Sequence, residues 1–303
     1  MIAAYKRNGY DFLQLSEHFL DRYGWPIADT RGFRSNAFTT LIGAELHAMA
    51  TSVGELWHIL AVGLPLAFPA PSKAETGPEL ARRARDAGAF VAIAHPAWSQ
   101  LTEDDGRTLE AAHAVEIYNH GCGVETDRGD GFYLLDRLSN LGRRLTAIAT
   151  DDAHFNHGDR DAFGGFVEVK AESLDPEALL AALKAGHFYA SQGPRLHDVR
   201  VGRDEIVVET SPVDAVALLT GTSRALHVPG SHMTRAVFDL AGPGPKRVPT
   251  HGFASSRSTP PAAAPGPIRS GSTRPADAPP CAGGLGLINR GPDRLQREEE
   301  SDS

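Results

Sequence analysis

Apolar residues in the first 190 positions form short continuous runs that alternate with amphipathic stretches. Each run has the length of a strand and ends abruptly in polar residues, as buried strands of a parallel sheet do. The amphipathic stretches repeat apolar residues at helical spacing, and several end at a glycine. The predicted strands are residues 10–18, 37–47, 55–63, 89–95, 113–119, 145–149 and 165–171, and the predicted helices are residues 2–8, 79–87, 109–112, 131–141 and 175–186. This alternation predicts an α/β domain with a parallel sheet, most simply a barrel.

The pattern changes after residue 195. Four short apolar runs then follow one another at hairpin spacing, without helices between them, at residues 197–201, 205–209, 215–219 and 236–240. They predict a small β unit. From residue 242 onward the periodicity vanishes, and such a segment cannot bury enough apolar surface to offset the entropy of ordering it. We therefore expect an α/β domain over residues 1–195, a small, incomplete β domain over 196–241 and a disordered tail over 242–303.

Residue types that bind divalent cations stand at or beside the ends of the predicted strands. They are His18, Glu45, His58, His95, Glu116, Asp151 and His154. Taken singly, each is more often structural, and Asp151 with His154 fits a plain turn equally well. Taken together they favour a metal site, because the carboxyl ends of parallel strands meet at one face of such a barrel. Mixed imidazole and carboxylate ligands suit Zn, Mn or Fe. His58 is the weakest member, since it begins its strand.

Other polar residues receive supporting roles. We expect Asp152 beside the ligands rather than among them. We expect four histidines, His47, His113, His120 and His157, to be surface or supporting residues. Arg195, which follows Gly193 and Pro194, is a candidate contact for a substrate phosphate, with a plain surface role at least equally open.

Composition narrows the classes of function. The chain has 303 residues and a formal net charge of -8, which makes it a poor non-specific binder of nucleic acid. No apolar run has the length of a transmembrane helix, and the N-terminus has no signal-peptide pattern. Cys122 and Cys281 are far apart and support neither a disulfide framework nor a zinc finger. We therefore expect a cytoplasmic protein that acts on a small molecule, with neither nucleic acid nor membrane as a partner; the oligomeric state stays open.

The order and spacing of these residues resemble the PHP (polymerase and histidinol phosphatase) domain proteins, specifically their CehA/McbA-like metallohydrolase branch. The matching stretches are residues 15–18, 43–46, 58–61, 94–96, 115–119, 149–154 and 188–194. The resemblance implies a distorted (βα)7 TIM-like barrel that holds up to three divalent ions. It also implies a hydrolase that uses a metal-activated water. A phosphoester is the default substrate, and an ester or carbamate is the alternative.

The resemblance implies a role for each matching residue. Glu45 would bridge two cations and, with Asp151, carry the catalysis. His58 and His95 would complete one cation site, and Asp151 would serve the second. His18 and His154 would hold a third ion. Glu116 and Asn119 would be auxiliary ligands or substrate contacts.

The chain departs from the family at its start. PHP domains begin with a strand that carries His-x-His and, shortly afterward, an Asp after a Ser, and this chain has neither. Met1 falls within the helix that should follow that strand. We therefore expect an N-terminally truncated barrel that lacks its first strand and binds fewer ions. A catalytically inactive metal-binding fragment is the alternative from a different class. The tail after residue 242 reads like a frame-shifted translation.

Overall fold

The computed structural model describes residues 1–241, apart from 157 and 222, and two strands beyond them. The described chain divides into two compact units, one that ends at Ala190 and one that begins at Ser191. The first ten strands are β1 (Phe12–Gln14), β2 (His18–Phe19), β3 (Thr39–Leu41), β4 (Gly43–Ala48), β5 (Trp57–Val62), β6 (Phe90–Ile93), β7 (Ala114–Asn119), β8 (Thr146–Thr150), β9 (Phe166–Val169) and β10 (Phe188–Ser191). The helices are α1 (Ile2–Arg7), α2 (Gly77–Asp86), α3 (Glu103–Thr108), α4 (His120–Thr126), α5 (Phe132–Asn140) and α6 (Pro176–Ala185).

A six-stranded sheet with the order β2-β4-β5-β6-β7-β8 forms the centre of the first unit. The chain is thus a mixed α/β protein, as the apolar pattern predicts. The prediction of an all-parallel sheet is wrong, because β5 runs antiparallel to both β4 and β6. The connection over residues 49–56 is too short for the crossover that a parallel pair needs. Further two-stranded sheets pair β1 with β3 and β9 with β10, and a closed barrel stays a prediction.

One hydrophobic core cluster of the first unit forms where α6 packs against strands of the six-stranded sheet and of the two smaller sheets. Leu179 and Leu183 of α6 pack among buried apolar residues from several strands, including Leu41, Val62, Phe90, Ala92, Ala114, Ile148 and Phe188. α6 begins at Pro176 and ends before Gly186, whose φ of 74° suits a residue without a side chain. This packing fixes the strands, and with them the side chains at the strand ends.

Several predicted elements differ from the observed ones. The predicted strands at 10–18 and 37–47 each split into two short strands. The helix expected at 109–112 lies instead at Glu103–Thr108, because Thr102 and Asp105 form a capping box that starts it earlier. Helix α4 was not predicted; the Asn119 side chain caps it by accepting a hydrogen bond from the Cys122 N–H.

The second unit is built from β11 (Leu196–Val201), β12 (Glu205–Leu219) and β13 (Ala225–Asp239). β12 pairs antiparallel with both neighbours, so the predicted short strands at 205–209 and 215–219 belong to one long strand. Two strands lie within the tail that was predicted to be disordered: β14 (Phe253–Arg257), which pairs with β12, and β15 (Leu287–Ile288), which pairs with β14. For these residues the prediction of disorder is wrong. The rest of that prediction lies outside the described residues. No described helix has the length and apolar content needed to cross a bilayer.

Candidate metal centre

Three neighbouring strands bring four ligand-type side chains together. Glu45 and His47 lie two residues apart in β4 and therefore share one face of the sheet. In the strand register, His18 of β2 pairs with Glu45, and His58 of β5 pairs with His47. Because β5 is antiparallel, the start of this strand meets the ends of its neighbours. This explains why His58 belongs to the site although it begins its strand.

The Glu45 carboxylate is the centre of the group. Its Oε1 lies 2.7 Å from His58 Nδ1 and 3.0 Å from His95 Nε2. Its Oε2 lies 2.8 Å from His18 Nδ1 and 3.4 Å from His47 Nε2. Glu45 itself is only 5% exposed. We call these five residues the histidine–glutamate cluster.

Charge in the cluster is set by burial and by these contacts. Burial raises the pKa of Glu45, but hydrogen bonds from the four imidazoles outweigh it and hold that pKa well below its usual value. The hydrogen bond to Glu45 raises the pKa of His18. For His58, burial dominates and lowers the pKa. Burial also lowers the pKa of His95, yet the hydrogen bond and charge of Glu45, with the charge of Glu116, raise it overall to about 9. The centre is therefore an ionised carboxylate.

The cluster fits a divalent cation. One ligand atom from each of His18, Glu45, His47 and His58 lies within 4.8 Å of all the others. His18 Nδ1 and His47 Nε2 are 3.0 Å apart and both face the same carboxylate. Four imidazoles and one carboxylate form the mixed donor set that Zn, Mn or Fe accepts. A buried carboxylate also needs such compensation for its lost hydration.

His47 is a member of the cluster that the sequence analysis placed among supporting residues. It is buried, and its Nδ1 has no hydrogen-bond partner among the described residues. The signal was present in the sequence, because the spacing Glu45-Leu46-His47 puts two ligand types on one face of a strand. The other three histidines differ. His113 stacks on Phe90, His120 hydrogen-bonds to Tyr118, and His157 lies outside the described residues.

A second polar network lies at the ends of β7 and β8. Glu116 is buried and accepts hydrogen bonds from the His95 N–H at 2.5 Å and from the Thr150 hydroxyl. The Asn119 amide donates to Glu116 at 3.1 Å and to Asp152 at 3.2 Å. Burial raises the pKa of both carboxyls. Glu116 thus holds the backbone of His95, and Asn119 links Glu116 to Asp152.

The structure places Asp151 outside the histidine–glutamate cluster. Its Oδ2 accepts from the Tyr5 hydroxyl at 2.7 Å and from the Phe163 N–H at 2.8 Å. Its Oδ1 accepts from the N–H groups of Gly164 and Gly165, both at 2.8 Å. A side chain at Gly165 would come within 2.6 Å of the Thr150 carbonyl oxygen, so only glycine allows this approach. Asp151 therefore anchors helix α1 and the 163–165 loop.

Asp152, the next residue, interacts electrostatically with Glu45 and His95 of the cluster. Its pKa is raised by burial and then by the charge of Glu45, while His95 and His154 act in the opposite direction. Its φ of 52° breaks the strand alternation after Asp151. A strand pattern read from the sequence cannot anticipate that reversal, so it does not indicate which of the two carboxylates interacts with the cluster. The ligand role expected of Asp151 stays a prediction.

Two predicted residues lie at the margin. The ring of the exposed His154 is 5.9 Å from the His18 ring, and the backbone N–H of His154 donates to Asp161 Oδ2 at 2.6 Å. Arg195 lies in the second unit, where its backbone N–H donates to Ser211 Oγ, and the contact of its side chain with a phosphate stays a prediction. The structure thus groups His18, Glu45, His58 and His95, adds His47, and sets Asp151 apart.

Fold and site together describe a mixed α/β protein with a histidine–glutamate cluster that could bind a metal. No protein-family model and no curated protein matches this chain. Among solved structures, the chain is similar to a two-domain protein from Bacteroides vulgatus that contains a predicted PHP-like metal-dependent phosphoesterase. The identity is 17%, the match covers 77% of this chain and 78% of that one, and the TM-score is 0.41. This similarity is too remote to assign a family.

Proposed function

We propose that this chain is a metal-dependent hydrolase of the PHP type, in the CehA/McbA-like branch. The observation that carries the proposal is the buried Glu45 carboxylate with four imidazoles around it. Structural histidines are ordinary singly, but four on one buried carboxylate form a donor set. The order of the matching motifs supports the family assignment.

The residues divide into three roles in this proposal. Glu45, His18, His47, His58 and His95 would hold a divalent cation. Asp152 and His154 would complete a neighbouring position in place of Asp151. A divalent cation supplies Lewis acidity, which polarises the scissile group and makes water a nucleophile at neutral pH. Glu116 would position His95 through its backbone N–H, and Asn119 would hold the Asp152 carboxylate in place.

The proposed substrate is a small phosphoester. The family resemblance supports it, and the positive charge of a bound divalent cation would favour an anionic group. An ester or carbamate needs the same cation, so the chemistry of the cluster does not separate the two.

The test is a hydrolysis panel with the full chain after reconstitution with Zn, Mn or Fe. The panel contains phosphate monoesters, phosphate diesters and neutral carboxyl esters, each with and without a chelator. We expect phosphoester turnover that the chelator abolishes. Chelator-sensitive turnover of the neutral esters alone would favour the ester or carbamate reading. Turnover that persists in the metal-free chain would contradict the proposal.

A non-catalytic metal-binding module is the second candidate. The observation in its favour is that, among the described residues, the ligand atoms of His18, Glu45, His47 and His58 form one close group, while two-cation hydrolysis needs two cation positions. A chain that binds one equivalent of metal tightly and hydrolyses nothing in the panel would support this module.

A further inference from the structure

Two exposed aromatic rings border the histidine–glutamate cluster. Trp98 follows β6 and is 39% exposed, and its ring centre lies 5.1 Å from the ring of His95 and 5.3 Å from that of His58. Tyr23 ends a short 3-10 helix and is 54% exposed, and its ring stacks on His18 at 6.3 Å. Single exposed aromatics are ordinary. These two come from different segments, and both contact imidazoles of the same cluster.

A positive charge lies beside one of these rings. The Arg22 guanidinium stands 4.7 Å over the ring of Tyr23, and it makes no ion pair with a carboxylate among the described residues. A guanidinium without a carboxylate partner is suited to bind a phosphate oxygen.

We propose that Trp98, Tyr23 and Arg22 are the specificity-determining residues of the site and select phosphate esters of a flat aromatic group. The proposal rests on the proposed hydrolase function. The exposed parts of the two rings supply apolar surface against which an aromatic leaving group packs. Arg22 supplies charge for the phosphate that the cluster would polarise. A small aliphatic phosphate would leave both rings exposed to water and would gain nothing from them.

The test measures binding apart from turnover. Phenylphosphonate and methylphosphonate carry the same anionic phosphonate group, and neither can be hydrolysed as an ester. The ratio of their dissociation constants therefore measures how much the phenyl ring contributes to binding. The full chain, reconstituted with Mn²⁺, is titrated with each by calorimetry. We expect phenylphosphonate to bind about tenfold more tightly, which corresponds to the energy of one aromatic pair plus modest burial.

Substitutions show which residues cause the preference for phenylphosphonate. Trp98→Ala should remove most of it, Trp98→Phe should restore part of it, and neither should weaken methylphosphonate binding. Arg22→Gln should weaken both ligands. Tyr133→Ala removes a ring on α5 that is 75% exposed, and it serves as the matched control. Metal content measured in every variant shows that the cluster is intact.

The outcomes separate this proposal from the one on which it rests. Equal affinity for the two phosphonates, or a preference that survives Trp98→Ala and Tyr23→Ala together, overturns the specificity proposal while hydrolysis can still stand. A ring preference without turnover of any ester supports these recognition residues and overturns the hydrolase. A preference for neutral aryl esters that Arg22→Gln leaves unchanged overturns the phosphate part of the proposal.

Discussion

The Oε1 atom of Glu45 lies 2.7 Å from Nδ1 of His58 across an antiparallel pair of strands. His58 is the second residue of β5 and pairs with His47 near the end of β4, on the face that carries Glu45. A parallel β5 would begin at the opposite edge of the sheet, and His58 would lie far from Glu45. The cluster therefore depends on the direction of one strand.

Replacement of His47 tests whether it is a ligand or a neighbour. Its Nε2 faces the carboxylate that the other imidazoles contact, so we expect His47→Ala to weaken cation binding. The cation affinity should fall by at least about tenfold, which is the smallest loss typical when a residue that supports a metal ligand is removed. The measurement is the dissociation constant of the cation by competition with a chelating dye. His187→Ala removes an exposed histidine of the same unit and should change nothing.

Cation binding should depend on pH in a direction that follows from His95. Its pKa of about 9 in the metal-free chain means that it carries a proton at pH 7, which a cation must displace. The affinity should therefore rise with pH, by about tenfold per unit for one displaced proton, and level off near the pKa of His95. Calorimetry in two buffers of different ionisation enthalpy measures the proton release directly. An affinity that is flat between about pH 6 and pH 8, where a free imidazole titrates, would contradict this protonation state.

The same pKa makes a prediction for stability. A histidine whose pKa is raised on folding stabilises the fold at pH values below its unfolded pKa, and the contribution is lost as pH rises through the folded value. The metal-free chain should therefore lose stability between about pH 6.5, the ordinary imidazole pKa, and about pH 9. Urea denaturation across that interval measures it. The loss should be smaller in His95→Gln, which cannot titrate.

Asp151 and Asp152 are adjacent, and they should respond to substitution in opposite ways. Asp151→Asn weakens hydrogen bonds from Tyr5 and three backbone N–H groups, so it should lower the free energy of unfolding by about 1.5–3 kcal/mol. Asp152→Asn removes a charge that burial disfavours, so stability should hold while cation affinity falls. Denaturation and metal analysis of both variants check this. The reverse pattern would return the ligand role to Asp151.

The sequence predicted which side chains lie together better than it predicted the directions of the strands. Ligand types at strand ends mark His18, Glu45 and His95, because an apolar run that stops at such a residue needs no knowledge of the neighbouring strands. His58 was counted among the ligand candidates although it begins its strand. The antiparallel direction of β5 explains why it nevertheless lies beside Glu45. The apolar pattern of a buried strand is the same in both directions, so it could not reveal that direction.

His47 and Asp152 show what local sequence patterns cannot predict. His47 could have been found from its spacing to Glu45, but a lone histidine after an apolar residue also fits a core position. Asp152 was placed beside the ligands, but the direction of its side chain could not be predicted, because its positive φ breaks the alternation of β8. Such backbone conformations depend on tertiary contacts, here on the hydrogen bond from Asn119.

Metal content of the purified full chain, measured by elemental analysis beside two substitutions of glutamate, tests the central claim most directly. Glu45→Gln removes the charge at the centre of the cluster, and Glu55→Gln removes an exposed charge on the β4–β5 connection. We predict at least one equivalent of a divalent metal in the original chain and in Glu55→Gln, and almost none in Glu45→Gln. Equal metal in all three proteins, or none in any after reconstitution, would contradict the metal centre.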